Sequence, residues 1–180
     1  MEWRAENGNR LRLMRGDITR VPADAIVNAA NSALAGGGGV DGAIHRAAGP
    51  VLRRELDQIR AGIGHCPTGS AVVTTAGALP ARFVFHAVGP IYCGGAHGEA
   101  ELLAACYRKC LELAEERELA VIAFPSISTG AYGYPVEEAA GIAIEEVRRH
   151  LERPGIHLRE AVFVLFDQAA YDAYLACLPR

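Results

Sequence analysis

The sequence predicts an α/β fold with three layers (α/β/α), in which helices cover both faces of a central sheet. Short runs rich in Val, Ile and Phe alternate with longer amphipathic segments along the chain. The short runs are apolar at successive positions, which is typical of strands that are covered on both sides. Glycine-rich segments follow several of these runs, at the strand ends where open α/β sheets bind their ligands.

Six short runs are predicted as strands because they are apolar on both alternating faces. They cover residues 11–14, 25–27, 71–75, 83–88, 121–125 and 161–166. Four longer segments are predicted as helices because their apolar residues recur at helical spacing. They cover residues 40–60, 99–117, 136–151 and 168–178. Pro135 is placed at the start of one helix, and Pro154-Gly155 ends that helix. The pattern leaves the order of the strands open.

The composition favours one globular domain over residues 1–180. A chain of 180 residues is the usual size for one hydrophobic core, and its 51% hydrophobic and 22% charged residues are ordinary for such a domain. The formal net charge is -3, whereas general nucleic-acid binders carry a basic excess. The sequence therefore argues against nucleic acid as a partner.

The cysteines and the N-terminus suggest where the protein works. Five cysteines, an odd number, do not match a disulfide scaffold and favour the reducing cytoplasm. The N-terminus lacks the apolar stretch of a secretory signal, and no segment is long and apolar enough to span a membrane. We therefore expect a cytoplasmic protein with no membrane partner.

The first glycine-rich segment combines polar residues with four glycines directly before a helix. Asn28 and Asn31 end the strand, glycines occupy positions 36–39, and Asp41 and His45 share one helix face. Glycines let the backbone approach a ligand, and the helix N-terminus adds a partial positive charge. A phosphate or diphosphate cradle is predicted. The alternatives are a flexible loop, a dipole-complementing role for Asp41 and a packed role for His45.

The second glycine-rich segment covers residues 126–135 and places small hydroxyl residues and glycines at another strand end. Two cradles on different strands fit a diphosphate held from both sides better than a single phosphate. Tyr132 is predicted to lie flat on a sugar, and its alternative is packing against the loop.

Taken in order, these motifs resemble MacroD-type macro domains. The match runs from about Leu11 to Phe166 without large gaps. The two signature segments are residues 28–31 with 37–49, and residues 125–135; residues 16–19, 66–69, 86–90 and 102–111 match the segments between and before them.

The resemblance implies a mixed, mostly parallel six-stranded sheet with ADP-ribose in a cleft at the strand ends. Asp17 would accept a hydrogen bond from the adenine amino group, because a carboxylate only accepts. Ile18 and Phe166 would pack near the adenine, and Asn28 would lie at the distal ribose. The diphosphate and distal ribose would be lined by Gly37, Gly38, Gly39, Val40, Ser128, Thr129, Gly130, Ala131 and Tyr132.

The resemblance also implies hydrolysis of ADP-ribosyl esters, either O-acetyl-ADP-ribose or mono-ADP-ribosylated Asp and Glu on proteins. Asp41, helped by the diphosphate, would orient and partly deprotonate the attacking water. Asn31 would complete the catalytic set, and His45 would orient Asp41 or the loop. We expect a monomer with no cofactor and no metal, whose partners are ADP-ribose, O-acetyl-ADP-ribose and ADP-ribosylated proteins.

Three alternatives remain at this point. A non-catalytic ADP-ribose reader needs Asp17 and both glycine segments, whereas catalysis also needs Asn31 and Asp41, all of which are present. A module that binds poly(A)-like ends conflicts with the acidic balance. A zinc site could be drawn from His65, Cys66, Cys93 and His97, but their spacing matches no standard zinc pattern.

Overall fold

The computed structural model describes residues 1–180 and contains a mixed sheet with helices on both faces. The strands are β1 (Glu2–Arg4), β2 (Arg10–Arg15), β3 (Ala25–Ala30), β4 (Ala71–Thr75), β5 (Phe83–Val88), β6 (Val121–Phe124) and β7 (Glu160–Leu165). Their order in the sheet is β1-β2-β7-β6-β3-β5-β4. The five central strands are parallel, and β1 and β4 pair antiparallel at the two edges.

The sheet has seven strands, so the expectation of six was wrong by one edge strand. β1 pairs with β2 so that Trp3 lies opposite Leu11. Glu2 and Arg4 are exposed and form an ion pair with each other on one face of the strand. An edge strand is not buried on both faces, and only one of the three residues of β1 is apolar. β1 therefore lacks the continuous apolar run by which the other strands were predicted.

Five helices cover the sheet where four were predicted. They are α1 (Gly39–Ala48), α2 (Val51–Ile63), α3 (Glu99–Glu116), α4 (Val136–Leu151) and α5 (Gln168–Cys177). The single helix predicted over residues 40–60 was wrong, because Gly49 adopts a positive φ of 85° and Pro50 cannot continue the hydrogen-bond ladder. None of the helices combines the length and apolar character needed to cross a membrane.

The alternation of side chains along each strand divides the core into two main layers. On one face, α1 and α2 pack Ile44 and Leu52 against Ile26 of β3 and Val84 of β5. On the other face, α3, α4 and α5 pack against the remaining strand residues, Phe85 among them. Because side chains alternate along a strand, Asn28 of β3 and His86 of β5, each two residues further on, face the same side. The sheet therefore places two polar side chains towards α1.

Candidate functional site

Asp41 and Asn28 meet at the carboxyl end of β3. Asp41 lies in the first turn of α1, as predicted, and only 6% of its surface is exposed. The fully buried Asn28 amide donates from Nδ2 to Asp41 Oδ1 over 2.7 Å. No protein group donates a hydrogen bond to Asp41 Oδ2, so one carboxylate oxygen keeps its acceptor capacity.

The glycine run before α1 is folded back against that helix. A Cβ at Gly42 would lie 2.6 Å from the Gly37 carbonyl oxygen, so only glycine permits this approach. A Cβ at Gly37 would lie 3.5 Å from Asp41 Oδ2, so the run passes beside the free carboxylate oxygen. Gly38 is the N-cap and supplies no side chain, which leaves first-turn N–H groups of α1 available to an anion.

Asn31 and His45 both lie against the glycine run. The Asn31 amide donates to the Gly36 carbonyl over 3.0 Å, and its Oδ1 accepts from the Ala35 N–H over 3.2 Å. His45 Nε2 lies 3.3 Å from Asp41 Oδ1 without forming a hydrogen bond. The structure thus brings Asn31 and His45 to the glycine run beside Asp41 and confirms that Asp41 and His45 share a helix face.

The second loop, residues 126–135, is anchored from below by two buried tyrosines. The Tyr107 hydroxyl accepts from the Ile127 N–H over 3.2 Å, and the Tyr174 hydroxyl donates to Ser126 Oγ over 3.0 Å. Both tyrosines have no exposed surface. The start of the loop is therefore fixed by the core under α3 and α5.

Ser128 is held in an unfavourable backbone conformation within this loop. Its φ is 67°, in the left-handed region that residues with a Cβ avoid, and it is 6% exposed. A Cβ at Gly89 would lie 2.2 Å from Ser128 Oγ, so the segment after β5 must be glycine where it passes the loop. Tyr134 N–H closes the turn by donating to the Ser128 carbonyl over 2.9 Å.

Three buried side-chain polar atoms have no hydrogen-bond partner, and they belong to the end of β3, to α1 and to the second loop. They are Asn28 Oδ1, His45 Nε2 and Ser128 Oγ. A buried polar group left unpaired costs about 1–3 kcal/mol, so folded proteins rarely collect them at one place. Their concentration here indicates a site in which a polar ligand completes the hydrogen bonding.

Asp17 and Phe166 lie beyond the ends of the neighbouring strands β2 and β7. The Thr19 hydroxyl and N–H donate to Asp17 Oδ1 over 2.7 and 2.9 Å and lower the pKa of that carboxyl. Phe166 is 85% exposed, an unusual position for a large aromatic ring. Ile18 is 4% exposed, and its side chain packs in the core.

The predicted segments follow one another along the carboxyl edge of the sheet. Asp17 and Phe166 follow β2 and β7, the second loop follows β6, and the glycine run follows β3, and these four strands are consecutive in the sheet. Neighbouring strands lie about 4.8 Å apart, so the row spans roughly 14 Å. An elongated ligand fits such a row better than a compact one.

A family model described as Macro domain matches residues 27–143, which is more than half of the chain.

This chain belongs to the macro domain family.

The relatives of this macro domain agree in length as well as in sequence. It is 55% identical to a macro domain-containing protein of Caldanaerobacter subterraneus subsp. tengcongensis, over 92% of this chain and 93% of the relative. It is 51% identical to the O-acetyl-ADP-ribose deacetylase of Salmonella newport, over 96% of each chain.

Two solved structures share its fold. The Oceanobacillus iheyensis macrodomain with ADP superimposes with a TM-score of 0.93 at 44% identity, over 98% of this chain and 93% of that one. The Trypanosoma brucei macrodomain in complex with ADP-ribose gives a TM-score of 0.85 at 44% identity, over 94% and 69% of the two chains.

Sequence reasoning assigned no role to two polar residues beneath the site of this macro domain. His86 of β5 is fully buried, lies opposite Asn28 in the sheet, and its Nδ1 is 3.1 Å from Asn28 Nδ2. Its Nε2 lies 2.9 Å from the hydroxyl of buried Thr74 on β4. A histidine inside the otherwise apolar strand residues 83–88 is the sequence signal that could have found them.

Glu99 was also missed, although it shapes the rim of the cleft. This residue is 2% exposed and accepts hydrogen bonds from the N–H groups of Cys93, Gly95 and His97. Just before this loop, the Tyr92 N–H donates to the Tyr132 carbonyl over 2.9 Å. Glu99 therefore stabilises a loop that adjoins the predicted sugar-contacting residue.

The zinc alternative is not assembled by the fold. Cys66 is buried, with 1% of its surface exposed, whereas Cys93 and His97 lie exposed in the loop that Glu99 organises. No group of three His, Cys, Asp or Glu side chains comes close enough together to hold a metal ion.

Proposed function

We propose that this macro domain binds ADP-ribose and hydrolyses ADP-ribosyl esters, releasing ADP-ribose. Its substrates are O-acetyl-ADP-ribose and proteins that carry mono-ADP-ribose on Asp or Glu. The observation that carries the proposal is Asp41, a buried carboxylate with one free oxygen beside a glycine run and an uncapped helix N-terminus. The deacetylase name of the Salmonella relative of equal length supports it.

The row of segments along the sheet edge matches the order of groups in ADP-ribose. Asp17 accepts from the adenine amino group, and the exposed ring of Phe166 stacks on the base. The diphosphate lies between the two loops, where N–H groups of the first turn of α1 and the free Ser128 hydroxyl donate to its oxygens. The distal ribose then lies between Asp41 and Tyr132.

The second loop contributes to binding mainly through its backbone and through Tyr132. Gly130 and Ala131 are exposed at its tip, and Thr129 Oγ1 is occupied by hydrogen bonds to the Ser126 carbonyl and hydroxyl. The loop therefore presents main-chain groups to the diphosphate, while the half-buried Tyr132 ring packs against the distal ribose.

Hydrolysis needs a water molecule that is oriented and partly deprotonated at the ester. Asp41 Oδ2 accepts that proton, assisted by the diphosphate, while Asn28 holds Oδ1 in place. The water attacks the ester carbonyl or the anomeric carbon, and either route yields ADP-ribose and a carboxylic acid. Asn31 fixes the glycine run, and His45, which lies beside Asp41 on the same helix face, orients Asp41 or the loop once substrate is bound.

The test follows release of ADP-ribose from O-acetyl-ADP-ribose and from a protein mono-ADP-ribosylated on Glu or Asp. Wild type and Asp41→Ala are compared, with ADP-ribose binding measured by calorimetry on the same preparations. A positioned base contributes about 10²–10⁴-fold, so turnover by the variant is expected to fall by at least that lower value while ADP-ribose still binds.

Either of two results would contradict the proposal. Tight binding of ADP-ribose with no turnover of either ester by wild type would make this macro domain a reader. A loss of turnover below about tenfold in Asp41→Ala, with binding retained, would remove Asp41 from the role of base.

A further inference from the structure

Three polar side chains form a line across neighbouring strands beneath Asp41. Thr74 of β4, His86 of β5 and Asn28 of β3 lie on the face of the sheet that packs against α1, among Ile26 and Val84. All three are at most 3% exposed. The contacts run from Thr74 Oγ1 to His86 Nε2 at 2.9 Å, from His86 Nδ1 to Asn28 Nδ2 at 3.1 Å, and from Asn28 Nδ2 to Asp41 Oδ1 at 2.7 Å.

A backbone carbonyl sets the direction of every hydrogen bond in this line. The Thr74 hydroxyl donates to the Thr75 carbonyl oxygen over 2.9 Å, and that oxygen can only accept. Because the only hydroxyl proton of Thr74 is donated to that carbonyl, Thr74 Oγ1 must accept a hydrogen bond from His86 Nε2–H. His86 Nδ1 carries no proton in that tautomer, so it accepts from the Asn28 amide.

Burial keeps His86 in the neutral form that this direction requires. Its side chain has no exposed surface, and burial, together with nearby His45, lowers the pKa of His86 to about 3. A charged imidazole would place an N–H at Nδ1, facing the N–H of Asn28. The neutral ring instead offers one donor to Thr74 and one acceptor to Asn28.

We infer that Thr74 and His86 are positioning residues, which fix the Asn28 amide so that its N–H points at the Asp41 carboxylate. The catalytic consequence rests on the proposed hydrolase function. With the N–H groups of Asn28 committed to His86 and Asp41, Asp41 Oδ1 is held and Oδ2 is left directed at the glycine run. If the amide turned over, its carbonyl oxygen would face Asp41 Oδ1 and repel it.

The kinetic test removes the Thr74 hydroxyl, at one end of the line, and keeps a side chain of nearly the same size and shape. Thr74→Val lacks the hydroxyl that accepts from His86, and Thr74→Ser keeps it. In Thr74→Val, kcat for O-acetyl-ADP-ribose is expected to fall about tenfold, as for loss of one hydrogen bond near a charged group. KM and the Kd for ADP-ribose should change less than about twofold, and Thr74→Ser should restore kcat.

A destabilising control variant separates positioning from general damage. Val147→Ala creates a cavity in α4, in a fully buried position away from the loops, and lowers stability without touching the line. Its kcat is expected to equal that of wild type below its melting temperature. A similar loss of kcat in Val147→Ala, or full activity in Thr74→Val, would overturn the inference.

A spectroscopic measurement tests the same inference without any turnover. ¹⁵N resonances of His86 should report the neutral Nε2–H tautomer from pH 5 to 8 in wild type and Thr74→Ser, and lose that preference in Thr74→Val. An Nδ1–H or charged ring in wild type would overturn the inference. Absence of turnover with the expected tautomer would instead overturn the hydrolase proposal and leave the hydrogen-bonded line established.

Discussion

Two buried carboxylates lie in the first turns of helices on the same edge of the sheet, and they are satisfied to very different degrees. Glu99 of α3 accepts three hydrogen bonds from the N–H groups of its own loop, at 2.6 to 3.0 Å. Asp41 of α1 accepts one, from Asn28, and keeps a free oxygen. A saturated carboxylate stabilises a loop, whereas one with spare acceptor capacity is available to a ligand.

The difference also appears in the proton affinity of Glu99. Burial raises the pKa of its carboxyl, but the backbone N–H groups of Cys93, Gly95, His97 and Glu99 itself outweigh burial and lower that pKa to about 2. Such a group stays ionised in the folded protein at any working pH. Its carboxylate already accepts hydrogen bonds from the loop and stays ionised, so Glu99 does not act as an acid or base in catalysis.

The sharpest test of this contrast removes the charge from Asp41 while keeping its shape. Asp41→Asn retains an acceptor oxygen for Asn28, so the melting temperature is expected to stay within about 2 °C of wild type. Turnover of O-acetyl-ADP-ribose should fall by about 10²–10⁴-fold, because an amide cannot take a proton from water. A large loss of stability with turnover retained would reverse the roles assigned to the two carboxylates.

The matching change at Glu99 should produce the opposite pattern. Glu99→Gln weakens the three bonds to the loop, so the melting temperature is expected to fall by roughly 5 °C, measured by calorimetric scanning. kcat should remain within about threefold of wild type, because Glu99 touches no reacting group. A loss of kcat as large as in Asp41→Asn would mean that the loop itself takes part in the reaction.

The pH dependence of stability isolates the contribution of Glu99. Its folded pKa lies below the ordinary value, so the stabilisation is fully present above about pH 4.5 and is lost as the pH falls towards 2. The difference in unfolding free energy between wild type and Glu99→Gln should therefore shrink between pH 6 and pH 3, as urea titrations would measure. A constant difference over that range would contradict the depressed pKa.

The smallest expected effect concerns Ser128, which is unsatisfied like Asp41 but uncharged. Ser128→Gly relieves a left-handed φ of 67° and removes a buried hydroxyl without a partner. The melting temperature is expected to rise by about 2 °C, while affinity for ADP-ribose falls a few fold. A variant that loses stability and keeps its affinity would show that the hydroxyl serves the fold rather than the ligand.

The sequence pattern predicted most of the fold correctly where burial is complete. α4 is found at the predicted residues, and five of the six predicted strands are present within one residue at their ends, whereas β3 runs three residues beyond its predicted end. The predictions were wrong at two places where the burial pattern does not determine the secondary structure. β1 is an edge strand with little to bury, and the break between α1 and α2 is set by Gly49 and Pro50 although the apolar stripe runs through both helices.

The candidate site was predictable as far as its residues are close along the chain. Asp41 and His45 are four residues apart, so helix geometry alone places them on one face. The two glycine loops could also be predicted, because the glycines that allow their backbone conformations are visible in the sequence. The line from Thr74 through His86 to Asn28 joins three strands, and only the register of the sheet places these residues side by side.

The sequence by itself therefore determined the layers, the two glycine loops and the carboxylate between them, because these depend on periodicity and local backbone freedom. The tertiary structure decided which polar atoms are satisfied. Glu99 and Asp41 are both acids near the start of a helix in the sequence, and only the folded loop shows that one is surrounded by N–H donors and the other is not. Hydrogen bonding is short-ranged and directional, so its outcome depends on contacts that no local pattern encodes.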